Sequence, residues 1–234
     1  MQDHYQTARQ ALKENFANYF RPSLYHLNHR LDDVCGLSGL DYDLFILDRD
    51  CTLHGYHATK RVPEFEETLK EIGSKSELVS NSSYNELLKI RDVFGDVMPI
   101  SKLVNFNGFT QPFLLRFIDG KLSVLKIYDS GVSDVTSIMS QGDTLFGSIV
   151  YNFKKPNPKI IDAVITANKA AKRIPDQPRV LMVGDRYLTD IVAGNLAGVD
   201  TARVKPYKPL TDKPDLIAVR YVLDSPLGNI LSRL

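Results

Sequence analysis

LFILDRDCTL, residues 44–53, sets four consecutive apolar residues directly before two carboxylates, Asp48 and Asp50, with Arg49 between them. A short apolar run bounded by polar residues reads as a strand buried on both faces, the kind that fills the middle of a parallel sheet. Four further runs repeat the pattern: ELVS at 77–80, SIVY at 148–151, VLMV at 180–183 and TARV at 201–204. Between the runs, residues 63–72, 83–93, 158–172 and 188–197 carry apolar residues at three-to-four spacing, which predicts crossover helices on both faces. The result is an open, doubly wound α/β fold with SIVY as one of its parallel strands. In such a fold ligands bind beyond the carboxyl ends of the strands, so the residues that follow LFIL, ELVS and VLMV share one crevice.

Those residues are polar. Asp48 and Asp50 repel each other unless a cation or a shared proton lies between them, although D-x-D after a strand also fits a turn or a helix cap. Gly184 permits a tight turn after VLMV, and Asp185 and Asp190 follow it. Hard oxygen donors at this density suit Mg²⁺, which takes one or two protein carboxylates and completes its shell with water and substrate phosphate. Ser80-Asn81, after ELVS, offers a hydroxyl and amides to a phosphate at a helix start, or caps that helix. Lys154-Lys155, after SIVY, brings an ammonium to the crevice or forms a solvated surface pair.

Taken together, the motifs in their order resemble the haloacid dehalogenase (HAD) superfamily of phosphatases. Asp48 to Leu53 match its D-x-D-x-T-L motif, Ser80 the second motif, Lys155 the third, and Gly184-Asp185 through Asp190 the fourth. The resemblance implies a Rossmann-like core and a magnesium-dependent phosphomonoester hydrolase. Asp48 would be the nucleophile and Asp50 the proton donor and later base. Mg²⁺ would be held by Asp48, the Asp50 carbonyl and Asp185, with Asp190 supporting. Thr52, Ser80, Asn81 and Lys155 would orient and bind the phosphoryl group. SNSS, NFKKP and VGDRYLTDIVAGNLAG further resemble the branch containing phosphatidylglycerophosphate phosphatases, although Cys51 stands where that branch commonly has Asn. Phosphatases of soluble sugar or nucleotide monophosphates remain the alternative within enzymes. A catalytically silent binding domain is the alternative outside them, against which the intact motif set argues.

The domain organisation expected is an N-terminal helical segment over 1–40, a catalytic core over 41–96 and 145–210, and a small cap inserted at 97–144. Residues 211–234 form a C-terminal segment. Tyr5, Ala8, Leu12, Phe16 and Tyr19, then Leu24, Leu27, Leu31 and Val34, predict two short helices that pack on the core or lie on a membrane surface. In 97–144, Asp119-Gly120 predicts the turn of a hairpin and 132–140 a short helix. Lys+Arg 29 against Asp+Glu 28 provides no overall field for nucleic acid. Cys35 and Cys51 are too few for a disulfide framework, no apolar run approaches a membrane span, and the N-terminus lacks the apolar core of a secretory signal. The expected setting is cytoplasmic, with peripheral membrane contact left open, and the partner a phosphorylated small molecule or a lipid phosphate. The oligomeric state is not legible. His54 and His57, three apart, lack a third metal ligand at matching spacing, and Cys51 lacks a histidine partner.

Overall fold

Leu44 and Ile46 face one side of the central sheet, Phe45 and Leu47 the other, and helices bury both sides. The computed structural model describes residues 28–55, 59–128, 131–139 and 149–207. Its strands are β1 (Asn28–Leu31), β2 (Leu44–Leu47), β3 (Ser76–Val79), β4 (Ile100–Phe106), β5 (Phe113–Ile118), β6 (Lys121–Tyr128), β7 (Gly131–Asp134), β8 (Ile149–Asn152), β9 (Val180–Gly184) and β10 (Asp200–Val204). The helices are α1 (Glu66–Ile72), α2 (Tyr84–Phe94), α3 (Thr136–Met139), α4 (Lys159–Ala170) and α5 (Val192–Leu196). One sheet runs in the order β1-β10-β9-β2-β3-β4-β5-β6-β7, with β8 also paired to β4. The strands from β1 through β4 in that order pair in parallel, and the central pair β2 and β9 carry the continuous apolar runs expected of strands between helical layers. Leu69 and Ile72 of α1 and Leu87, Ile90 and Phe94 of α2 cover one face, while Ile160, Ile161, Val164 and Ala167 of α4 cover the other. The α/β, doubly wound, Rossmann-like class is therefore the observed one.

Three expectations are corrected. SIVY does form a strand, but β8 runs antiparallel to β4, pairing Val104 with Asn152 and Phe106 with Ile149. The reason lies in strand lengths: β3 covers only Ile100 and Ser101 on its edge of β4, and β8 fills the edge left beyond it. An apolar run carries no sign of direction. The helix expected from Leu24 to Val34 is instead, in its described part, strand β1 and a 3-10 turn at Val34–Leu37. The outer edge of β10 needs a partner for its backbone groups, and pairing from Asn28↔Thr201 to Leu31↔Val204 satisfies them. Residues 131–134 are a strand rather than the start of the helix expected at 132–140, which is confined to α3.

The segment 97–144 also differs from a cap lifted off the core. Its hairpin exists, with positive φ at both Asp119 and Gly120, yet β4 to β7 extend the same sheet in antiparallel pairs. Phe117 pairs with Ile100 at the start of β4, so the Asp119-Gly120 turn lies at the end of the sheet away from the crevice. The extension is tied down by buried charge. Arg116 of β5 donates to Glu77 of β3 at 2.6 Å and to Asn168 of α4 at 2.7 Å, Asn168 donates to Glu77 at 2.7 Å, and Ser101 of β4 donates to the other Glu77 oxygen. The expected helices over 1–27 and the segment 211–234 lie outside the described residues. No helix among the described residues is long and apolar enough to cross a membrane.

Removing one partner of such a network strands the other charge in the core. Glu77→Leu should cost about 3–5 kcal/mol of stability, and adding Arg116→Met should restore much of it. Denaturant unfolding of the two variants checks this, and an undiminished Glu77→Leu protein would contradict it.

Candidate active site

Four chain segments deliver polar side chains to the carboxyl end of the parallel strands. Asp48 leaves β2 with its amide on the Val183 carbonyl at 2.9 Å, which sets it beside the end of β9. Asp185 follows β9 and is fully buried, as is Asp190 at 1% exposure. Ligand oxygens of Asp48, Asp185 and Asp190 all lie within 4.8 Å of one another. Lys155 reaches them because β8 descends along β4 and ends three residues before it, at Asn152. Its ammonium donates to Asp48 at 2.5 Å and to the Val79 carbonyl at 3.2 Å, and stands 2.8 Å from Asp190. Lys154, one residue earlier, is exposed, so the surface reading of the Lys-Lys pair holds for that residue alone.

Local backbone geometry supports each group. Arg186 carries both the Asp190 and Ile191 amides on its carbonyl, within a single π-helical turn at Tyr187–Ile191, a distortion that recurs where side chains must be re-aimed. Gly184 is required for this: a Cβ there would lie 2.3 Å from the Asp190 carboxylate. Thr52 donates to Asp185 at 3.4 Å, so its hydroxyl orients a carboxylate. Cys51 is buried with a φ of 59°, in the left-handed region that Asn and Gly enter more readily than Cys.

Three placements were not legible beforehand. Arg49 grips the Asp50 carboxylate with both Nε and Nη2, at 2.9 and 2.7 Å, which leaves Asp50 outside the three-carboxylate cluster. The Asn81 side chain exchanges two hydrogen bonds with the Lys155 main chain, at 2.8 and 3.1 Å, and so locks the β3 loop to the lysine segment. The helix cap of α2 is Ser83, whereas the Ser80 hydroxyl shares a hydrogen bond with the Ser82 hydroxyl at 2.8 Å. An Asn two residues before a helix cap gives no signal that separates a cross-loop tie from a turn. His54 stacks on Phe94 with ring centroids 5.5 Å apart, and His57 lies outside the described residues.

The electrostatics turn on having too many carboxylates for one ammonium. Burial raises the Asp48 pKa to about 7; the Lys155 charge opposes this, and the Asp190 and Asp50 charges add to it. Burial works to lower Lys155, but Asp190 and Asp48 outweigh it and the net direction is upward. Lys155 therefore stays charged, and three carboxylates around this one ammonium leave the ionised cluster two positive charges short. Clustered, buried, hard oxygen donors fit a divalent cation, for which Asp48, Asp185 and Asp190 are the available side chains.

Residues 152–220 match the HAD-hydrolase-like family. The match supports the HAD superfamily and a hydrolase in general, and the buried aspartate cluster could hold a divalent metal. It contains Lys155, Asp185 and Asp190, while Asp48 and Ser80 lie outside it and reach the same place through the fold. No curated protein and no solved structure matches the chain.

A cation held by this cluster would compete with a proton for Asp48. Divalent-cation binding should be weaker at pH 6 than at pH 8 and should release a proton near pH 7, because the carboxylate form binds and the neutral form does not. Calorimetry in two buffers of different ionisation enthalpy measures the release. Asp48→Asn should abolish it, and equal affinity at both pH values would contradict the account.

Proposed function

We propose that this protein is a Mg²⁺-dependent phosphomonoester hydrolase that works through an aspartyl phosphate on Asp48. The observation that carries the proposal is the Lys155 ammonium bound between Asp48 and Asp190 at the strand ends, beside the buried Asp185. A silent copy of the fold would have no use for three buried carboxylates around one lysine, since an uncompensated charge in the core destabilises it.

In this reading Mg²⁺, held by Asp48, the Asp50 carbonyl and Asp185 with Asp190 in support, would neutralise charge on the transferring phosphoryl group. The Asp48 carboxylate attacks phosphorus in line, and the bond from phosphorus to the ester oxygen breaks. Asp50 gives its proton to the departing oxygen. Asp50 must release at least one oxygen from Arg49 to do so, which makes that pair a holding position. It then takes a proton from water, whose oxygen displaces the Asp48 carboxylate and frees phosphate. Ser80 and the amides of its turn meet the phosphoryl oxygens, and Lys155 offsets the charge gathered there.

For the substrate, the motif resemblance favours a lipid phosphate such as phosphatidylglycerophosphate over a soluble sugar or nucleotide monophosphate. Initial rates in mixed micelles against a panel of soluble esters decide between them, and a clear soluble preference would overturn the lipid reading alone.

Asp48→Asn should remove turnover of para-nitrophenyl phosphate while leaving the protein folded, because the amide cannot attack phosphorus. Asp50→Asn should lower kcat by roughly 10²–10⁴-fold through loss of proton transfer. Chelation should abolish activity, Mg²⁺ should restore it, and Ca²⁺ should do so poorly. Full turnover by metal-free protein, or by Asp48→Asn, would refute the proposal.

A further inference from the structure

Lys102 is a buried charge beside the site to which the proposed reaction gives no role. It lies in the middle of β4, between Ile100 and Val104 on the face that α2 covers, and its exposure is 0%. An apolar residue would fill that position at lower cost, since removing an ammonium from water costs several kcal/mol even after relaxation. Among the described residues its hydrogen-bond partner is the carbonyl of Ser82, in the turn that joins β3 to α2.

That turn holds the expected phosphoryl contact. The Ser82 amide donates to the Ser80 hydroxyl at 3.3 Å, and the two serine hydroxyls are 2.8 Å apart. A path of direct contacts therefore runs from the Lys102 ammonium through Ser82 to the Ser80 oxygen. On the other side of the turn, Asn81 is fastened to the Lys155 main chain. The turn is thus pinned from two directions, by Asn81 to the lysine segment and by Lys102 to the sheet extension.

We propose that Lys102 is a positioning residue for phosphoryl binding: by holding the Ser82 carbonyl it fixes the Ser80–Ser83 turn with the Ser80 hydroxyl toward the crevice. The inference rests on the phosphatase reading. Lys102 is closed off from the crevice and acts through Ser82, so it belongs to binding rather than to proton transfer. Burial lowers its pKa to about 8, and the charge of Lys154 adds to the effect. At neutral pH it is still mainly the ammonium, the form that makes the stronger, charge-assisted bond.

The test uses Mg²⁺-loaded full-length protein, para-nitrophenyl phosphate as substrate and inorganic phosphate as competing product. Lys102→Met should raise both KM and the phosphate inhibition constant about tenfold, the scale of a lost hydrogen bond to a charged group, while kcat changes far less. Ser82→Ala should act in the same direction, and the double variant should fall short of the product of the two, because both act on Ser80. In the wild type KM should climb as pH rises through about 8, as the ammonium is lost, and Lys102→Met should lack that rise. If Lys102→Met does not fold, Ser82→Ala and the wild-type pH profile carry the test. Unchanged KM and phosphate inhibition in a folded Lys102→Met protein, or a flat wild-type KM from pH 7 to 9 with Ser82→Ala unaffected, would overturn the proposal. A wild type that neither turns over the ester nor binds phosphate would instead overturn the phosphatase reading, and this inference with it.

Discussion

The ammonium of Lys155, removed from water and held between Asp48 and Asp190, is the interaction that the rest of the site is built around. A buried cation is tolerated only where its counter-charges are placed with good geometry. Each surrounding oddity serves that placement. β8 runs against β4 and so descends to the strand ends, Asn81 clamps the main chain of the lysine, Gly184 leaves room for the Asp190 carboxylate, and a π turn aims it. Two carboxylates and one ammonium would balance nearly by themselves. Asp185 is the third, and with it the cluster has the oxygen donors that could hold a cation.

The same placement explains why residues 97–144 are part of the sheet. β4 has to outrun β3 for β8 to dock on its edge, and a strand that long needs cover on its other side, which β5 supplies. The Glu77–Arg116–Asn168 network then fastens β5 to β3 and α4 on one face, while Lys102 fastens β4 to the β3–α2 turn on the other. Sheet extension and catalytic core are mechanically one body near the site. Displacement of β4 would disturb both Lys155 and the turn that carries Ser80.

What could be read in the sequence follows from where physics is local. LFIL and VLMV announce buried parallel strands because both faces must be apolar, and the polar residues after them announce a crevice because the fold puts strand ends together. Asp48, Asp185, Asp190 and Lys155 were legible for that reason, and the structure brings those four together. Strand direction was not, since SIVY is as apolar read backwards. NHRL at 28–31 has too few apolar residues to signal a strand, and is recruited by the open edge of β10. Arg49 folding back onto its neighbour Asp50, the Asn81 tie and the burial of Lys102 are tertiary outcomes. A lone lysine in ISKLVNF reads as an edge residue until the turn above it is placed.

The central claim is that Asp48 itself carries the phosphoryl group. The most direct measurement is to quench the Mg²⁺-loaded protein with acid during turnover of a ³²P-labelled phosphomonoester and to map the labelled peptide. The account predicts a label that survives acid, is released by hydroxylamine as an acyl phosphate is, maps to the peptide containing Asp48 and is absent from Asp48→Asn. Steady turnover with no trapped label on that peptide, or label on any other residue, would contradict it.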